Sequence, residues 1–186
     1  MKPILFSTTM VQAILEGSKT TTRRVMNPQP SSGIRISVFV ISGLADGHGR
    51  ELKPRYLPGD VLWVRETWAK NTDFADKSLV TPDGFIYKAT GEYHMGMKWR
   101  PSIFMPKEAA RIFLRVTDAG YQRLQDINSD GIENEGVNVE GLNTGEEYRY
   151  AWKTLWDGIN AERGYGWDQN PWVWVYRFVR CEKPIE

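Results

Sequence analysis

The chain has 186 residues, 24 Lys and Arg against 23 Asp and Glu, a formal net charge of +1, and 41% hydrophobic residues. That length fits one domain with a core of its own, and so small a charge excludes a protein that coats nucleic acid by bulk electrostatics; any such contact needs a local basic patch. The single cysteine, Cys181, excludes an internal disulfide framework and a cysteine-based zinc site, and no run of about 18 apolar residues is present to span a membrane.

The opening MKPILFSTTMVQAILEG lacks the long apolar run and cleavage site of a signal peptide, so a cytoplasmic location is expected. Residues 8–17 are predicted helical, with Thr8 or Thr9 as cap, Val11, Ile14 and Leu15 as an apolar stripe and Gly17 as stop. The run GSKTTTRR follows directly. Residues 27–58 are rich in Pro and Gly around one β-prone island, IRISVFVI, which predicts a long connection carrying a strand or hairpin. In LPGDVLWVRETW the turn Pro58-Gly59-Asp60 feeds a strand, whose apolar run from Val61 to Val64 fits burial on both faces.

Residues 71–84 return to loop character, and FIYKAT is a further short strand. RIFLRVT, 111–117, alternates: Ile112, Leu114 and Val116 share one face and Arg111, Phe113, Arg115 and Thr117 the other, as in a half-exposed strand. SDGIENEG, 129–136, predicts a short helix capped by Ser129, stopped by Gly136 and carrying Glu133 and Glu135. Over 145–160, Thr144 and Glu147 form a capping box, and Tyr148, Ala151, Trp152, Leu155, Trp156 and Ile159 follow the helical period. NPWVWVYRFVR closes the chain as a strand apolar on both faces, fit for a sheet interior or a closed barrel. Five or more short strands with about three helices and no βαβ rhythm predict a single α+β domain built on a small, partly closed barrel.

No P-loop, dinucleotide fingerprint, HExxH or GxSxG pattern is present, and Cys181 has no evident histidine partner. His48 and His94 sit in glycine-flanked polar stretches, so no metal or cofactor is expected. Chemistry must then use Lys, Thr, Arg, Glu, Asp or Tyr. Thr22 is a nucleophile only with a base in reach, and Lys19 is a base only if burial or cations such as Arg23 and Arg24 lower its pKa. Residues three apart in a regular strand point to opposite faces, so the pair can share a pocket only where the chain bends between them. The alternative reading is a solvated basic turn entering a strand, with threonines chosen for β propensity. Arg65, Glu66 and Trp68 in WVRETW are a second candidate, at the end of a strand where barrels place polar rims; an internal salt bridge and a core tryptophan are the alternatives. Glu133 and Glu135 are a third, set against a merely solvated helix face.

ILEGSKTTTRR, PGDVLWVRETW, the acidic ENEG helix and the late aromatic strand together resemble the ASCH domain family of the PUA-like superfamily. KPILFST, WRPSIFMP, LQDI and GYGWDQNPWVWV are similar to the longer ASCH proteins of tailed phages and prophages, so the resemblance runs from Lys2 to about Arg180. It implies a PUA-like mixed β-barrel of about five to six strands with about three flanking helices. The domain would span 1–186, with insertions at about 71–107 and 137–170, since the compact members are roughly half this length. Some compact ASCH proteins are amidohydrolases that remove the acetyl group of N4-acetylcytidine with a Lys, a Thr and a Glu. By that resemblance Lys19, Thr22 and Glu135 are the catalytic positions. Thr20, Thr21, Arg23, Arg24, Arg65, Glu66 and Trp68 would bind the substrate. The extra arginine in TTRRV departs from the family pattern.

Three readings follow. One is hydrolysis of an amide on a modified nucleoside. The second is a non-catalytic RNA- or DNA-binding module, or a ribonuclease, that takes single-stranded nucleic acid through a basic patch and stacking. The third is an interaction protein that meets a host or phage protein through exposed aromatics among Trp99, Tyr148 and Trp167. Oligomeric state is open at this stage.

Overall fold

The computed structural model describes residues 1–36, 44–70, 84–91 and 98–184. In chain order its elements begin β1 (Lys2–Leu5), α1 (Thr8–Glu16), β2 (Thr21–Val25), β3 (Ile34–Ile36), β4 (Leu44–Asp46) and β5 (Val61–Arg65). They continue β6 (Trp68–Lys70), β7 (Phe85–Tyr87), β8 (Phe113–Arg123), α2 (Ser129–Asn134), α3 (Gly145–Asn160) and β9 (Trp172–Cys181). Five strands form one mixed sheet in the order β1-β5-β8-β9-β2, while β3-β4 and β6-β7 are separate two-stranded pairs. Only β1 and β5 run parallel within the large sheet; its other neighbours are antiparallel. The fold is α+β, as expected.

The sheet curls without closing its ladder. A bulge between Val116 and Asp118 interrupts the β8–β9 register, the irregularity by which strands bend. The edge strands β1 and β2 are joined by a side chain: Arg24 Nη2 donates to the Leu5 carbonyl at 2.7 Å. β9 lies between β8 and β2, which explains why a strand apolar on both faces closes the sequence.

The main core lies against α1 and includes Ile4, Phe6, Val11, Ile14, Leu62, Val64, Leu114 and Tyr176. Trp63, Trp68, Tyr87, Met105 and Phe113 form a second cluster, so both faces of β5 are covered. Phe113 is therefore buried, and the face of β8 expected to be open is so only from Arg115 and Thr117 onward. A third cluster of Leu124, Ile127, Ile132, Trp152, Trp156, Trp167 and Val173 docks α2 and α3.

Helix ends differ slightly from expectation. The α1 cap is Ser7, which accepts from Met10 N, so the cap precedes both threonines; Gly17 stops the helix at φ 86°. Asn128, one residue before Ser129, caps α2 through its side-chain oxygen, and Glu135 is the residue that ends it. The Thr144–Glu147 capping box is present on α3. In FIYKAT only Phe85–Tyr87 is strand; Lys88–Thr90 is a single 3-10 turn. Most of the IRISVFVI island and nearly all of the loop over 71–84 lie outside the described residues.

Candidate functional site

The segment between α1 and β2 carries the site. After Gly17 the Lys19 amide donates to Ala13 O, the Thr20 amide to Asn134 O, and the Phe178 amide to Thr20 O. Residues 18–20 are thus held between α1, the end of α2 and β9, ahead of β2 itself. Lys19 lies outside the alternation of that strand, which removes the geometric objection to its sharing a site with Thr22. Gly136 shows how close the packing is. Its φ is +73°, and a Cβ there would stand 2.7 Å from Ala13 Cβ and 2.8 Å from Lys19 Cβ. Only glycine fits that turn.

Lys19 points inward onto the end of α2. Its Nζ donates to Thr21 O at 2.8 Å, to Glu135 O at 2.7 Å and to Glu135 Oε2 at 2.8 Å. Arg23 Nη1 donates to the other carboxylate oxygen, Glu135 Oε1, at 2.9 Å. The Lys19, Glu135 and Arg23 side chains are 0%, 2% and 5% exposed. The reading of KTTTRR as a solvated turn is overturned, because Lys19, Thr21, Thr22 and Arg23 are all buried. Loss of water around Lys19 pulls its pKa below 10.5; the Glu135 carboxylate opposes that shift, and Arg24 and Arg23 reinforce it. Glu133 takes no part in this network.

Thr22, Arg23, Arg24 and Val25 line a cavity of about 580 Å³, within the range of small-molecule sites. Leu5, Phe6 and Met10 supply one wall, and Trp152, Leu155, Trp156 and Ile159 of α3 supply another. No hydrogen bond from the Thr22 hydroxyl is found among the described residues. Arg24 sits 5.1 Å from the centre of the Phe6 ring, and burial lowers its pKa, although a guanidinium stays charged at any working pH. Its Nε is buried without a hydrogen-bond partner.

The remaining expected residues are placed elsewhere. Thr20 Oγ1 donates to Asn134 Oδ1, and Thr20 and Thr21 line a separate groove of about 650 Å³ with Gln122 and Arg177. Arg65 reaches away to the carbonyls of Ile103 and Met105, which fixes the turn that brings Ser102 to the cavity edge. Glu66 accepts a two-pronged pair from Arg111, at 2.9 Å each. Trp68 is buried in the second core cluster with Arg100 stacked 5.2 Å from its ring. None of these three residues lines the cavity. Of the aromatics considered for a protein partner, Trp167 is buried and Trp99 and Tyr148 are half-buried.

Arg55, in the connection before β5, and Arg163, just after α3, also line the cavity and were not singled out by the sequence. Neither lies in a motif; only the fold brings them to the cavity that Arg24 lines. Among the described residues no group of three or more His, Cys, Asp or Glu side chains is placed to hold a metal ion, and no helix is long and apolar enough to cross a membrane.

No protein-family model matches the chain, and no curated protein does. Among solved structures the chain is similar to an ASCH domain from Lactobacillus crispatus JV V101, at 15% identity and a TM-score of 0.40, covering 91% of this chain and 70% of that one. Identity at that level transfers no residue roles.

Proposed function

We propose that the cavity beside Lys19 binds a modified nucleoside and that the protein hydrolyses an amide on it, such as that of N4-acetylcytidine, as the resemblance to ASCH domains implies. One observation carries the reading: Thr22, its hydroxyl without a hydrogen bond among the described residues, lines one cavity with Glu135 and Arg23, the two members of the buried Lys19–Glu135–Arg23 network that reach it. A buried ion pair contributes little net stability for its desolvation, so a network of this kind beside a cavity favours chemistry over scaffolding.

Transfer of one proton from Lys19 Nζ to Glu135 Oε2, 2.8 Å away, leaves an amine. Once the Lys19 side chain swings from the end of α2 toward the cavity, that amine takes the Thr22 hydroxyl proton as Oγ1 attacks the amide carbon. The carbonyl oxygen gains the charge and meets the guanidinium group of Arg23. Collapse breaks the C–N bond, and the proton on Lys19 passes to the leaving nitrogen. Water then cleaves the acyl-Thr22 ester, with the same pair taking and returning its proton, to release acetate and cytidine. Phe6, Trp152 and Trp156 give the apolar walls that a base and sugar need.

The rival reading is a pocket that recognises nucleic acid without reacting. It is favoured by the fact that all three Nζ protons of Lys19 are committed to acceptors, which leaves no lone pair for Thr22 until one proton moves. Incubation with N4-acetylcytidine, followed by chromatography, separates the two. Formation of cytidine upholds hydrolysis. Folded protein that forms none, yet binds short oligonucleotides with a steep salt dependence, overturns it in favour of binding.

A further inference from the structure

We propose that the ligand of this cavity carries a phosphoryl group, held by Arg24, Arg55 and Arg163, so that the substrate is a nucleotide rather than a free nucleoside. The inference rests on the nucleoside reading of the cavity and narrows it. Four guanidinium groups, those of Arg23, Arg24, Arg55 and Arg163, line the cavity against one carboxylate, Glu135. Both oxygens of that carboxylate are already taken by Lys19 and Arg23. The surplus of three positive charges on the lining stands in a chain whose formal charge is only +1. The cations are therefore concentrated here.

The three surplus arginines come from three separate places in the chain: β2, the connection before β5, and the turn after α3. None has a carboxylate partner among the described residues. Arg24 spends Nη2 on the Leu5 carbonyl, Arg163 makes one 3.5 Å contact with Asn160 Oδ1, and Arg55 lies 5.5 Å from the Tyr56 ring centre. Phe6 beneath Arg24 and Tyr56 beneath Arg55 orient these planar groups before any ligand arrives. The buried Nε of Arg24 lacks an acceptor, a deficit that an anionic oxygen would make good. Convergent guanidinium forks match phosphate oxygens in geometry and charge. The same rim offers apolar surface for a base or sugar in Leu5 and Ile159, 38% and 47% exposed.

The test is calorimetric titration of the full chain with cytidine, 5′-CMP, 3′-CMP, inorganic phosphate and a cytidine trinucleotide at two salt concentrations. Each charge-assisted contact is worth roughly tenfold or more in affinity, so a CMP isomer should bind at least about tenfold tighter than cytidine. The gap should narrow with salt, and phosphate should compete. In the Arg55→Ala/Arg163→Ala protein the CMP-to-cytidine ratio should fall toward one. Both side chains are exposed, and the wild-type comparison needs no variant. A trinucleotide that binds far more tightly than either mononucleotide identifies the phosphate as part of a strand; equal binding identifies a mononucleotide. Either result upholds the proposal, whereas equal affinity for cytidine and both CMP isomers overturns it. The outcome is separable from hydrolysis. An arginine-dependent preference for CMP in a protein that deacetylates nothing would sink the hydrolase reading alone. Equal kcat/KM for N4-acetylcytidine and for both its 5′- and 3′-monophosphates would sink the phosphate site alone.

Discussion

Replacing Glu135 with Gln keeps the shape of the side chain and removes the only negative charge in the buried network. Lys19 and Arg23, whose side chains are 0% and 5% exposed, would then stand as two cations without a counter-charge. Breaking a buried pair from one side costs about 3–5 kcal/mol. For a domain of this size each kcal/mol moves Tm by about 2–4 °C, so a fall of about 10 °C is expected. Lys19→Met should behave differently. It forfeits three hydrogen bonds but leaves Arg23 and Glu135 as a balanced pair and relieves the ammonium of its desolvation, for a net loss of about 1–2 kcal/mol. Urea unfolding followed by circular dichroism measures both. The decisive quantity is the order of the two losses. If Glu135→Gln costs less than Lys19→Met, or less than about 1 kcal/mol, the network does not hold charge as described.

Because burial keeps the Lys19 pKa below 10.5 in the folded chain, the unfolded chain binds more protons just below that value; stability should rise as pH approaches 10.5 from below, and Lys19→Met should flatten the rise in urea midpoints. Asp46 tests the opposite end of the scale. Burial alone would raise its carboxyl, but hydrogen bonds from the Arg50 amide, the Ser31 hydroxyl and the His48 amide bring it from 3.8 to about 2, so its contribution is present above pH 3.8 and lost toward 2. Asp46→Asn should remove that acid limb from the pH–stability curve. Gly136→Ala places a methyl group against Ala13 and Lys19 at a φ of +73°, and a loss of about 2 kcal/mol or more is expected by thermal unfolding. Thr22→Val retains the volume of a side chain whose hydroxyl has no hydrogen bond among the described residues, so it should stay within about 1 kcal/mol of wild type in the same assay.

Local chemistry made part of this protein legible. Gly17 as helix stop, the Thr144–Glu147 box and the two-sided apolar runs of β5 and β9 all depend on near neighbours or on simple periodicity, and the structure has each of them. The convergence of Lys19 with Glu135 was not legible that way. The two are 116 residues apart, and only the family resemblance linked them. WVRETW illustrates the same limit. Whether Arg65 and Glu66 face a ligand or an internal partner depends on Ile103, Met105 and Arg111, which lie some 40 residues on. Along the helical stripe from Tyr148 to Ile159, Trp152 and Trp156 are buried in the third cluster, yet with Leu155 and Ile159 they also wall the cavity. Periodicity says which face of a helix is apolar and not how much of that face its neighbours leave uncovered. Arg55 and Arg163 carry no pattern at all.

Hydrolysis at this cavity is tested most directly by a time course of wild-type protein with N4-acetylcytidine, in which cytidine and acetate are both quantified, beside folded Thr22→Val and Lys19→Met proteins. Equimolar cytidine and acetate are expected from the wild type and neither from the two variants. Cytidine release by Thr22→Val at the wild-type rate, or none from folded wild type, would contradict it.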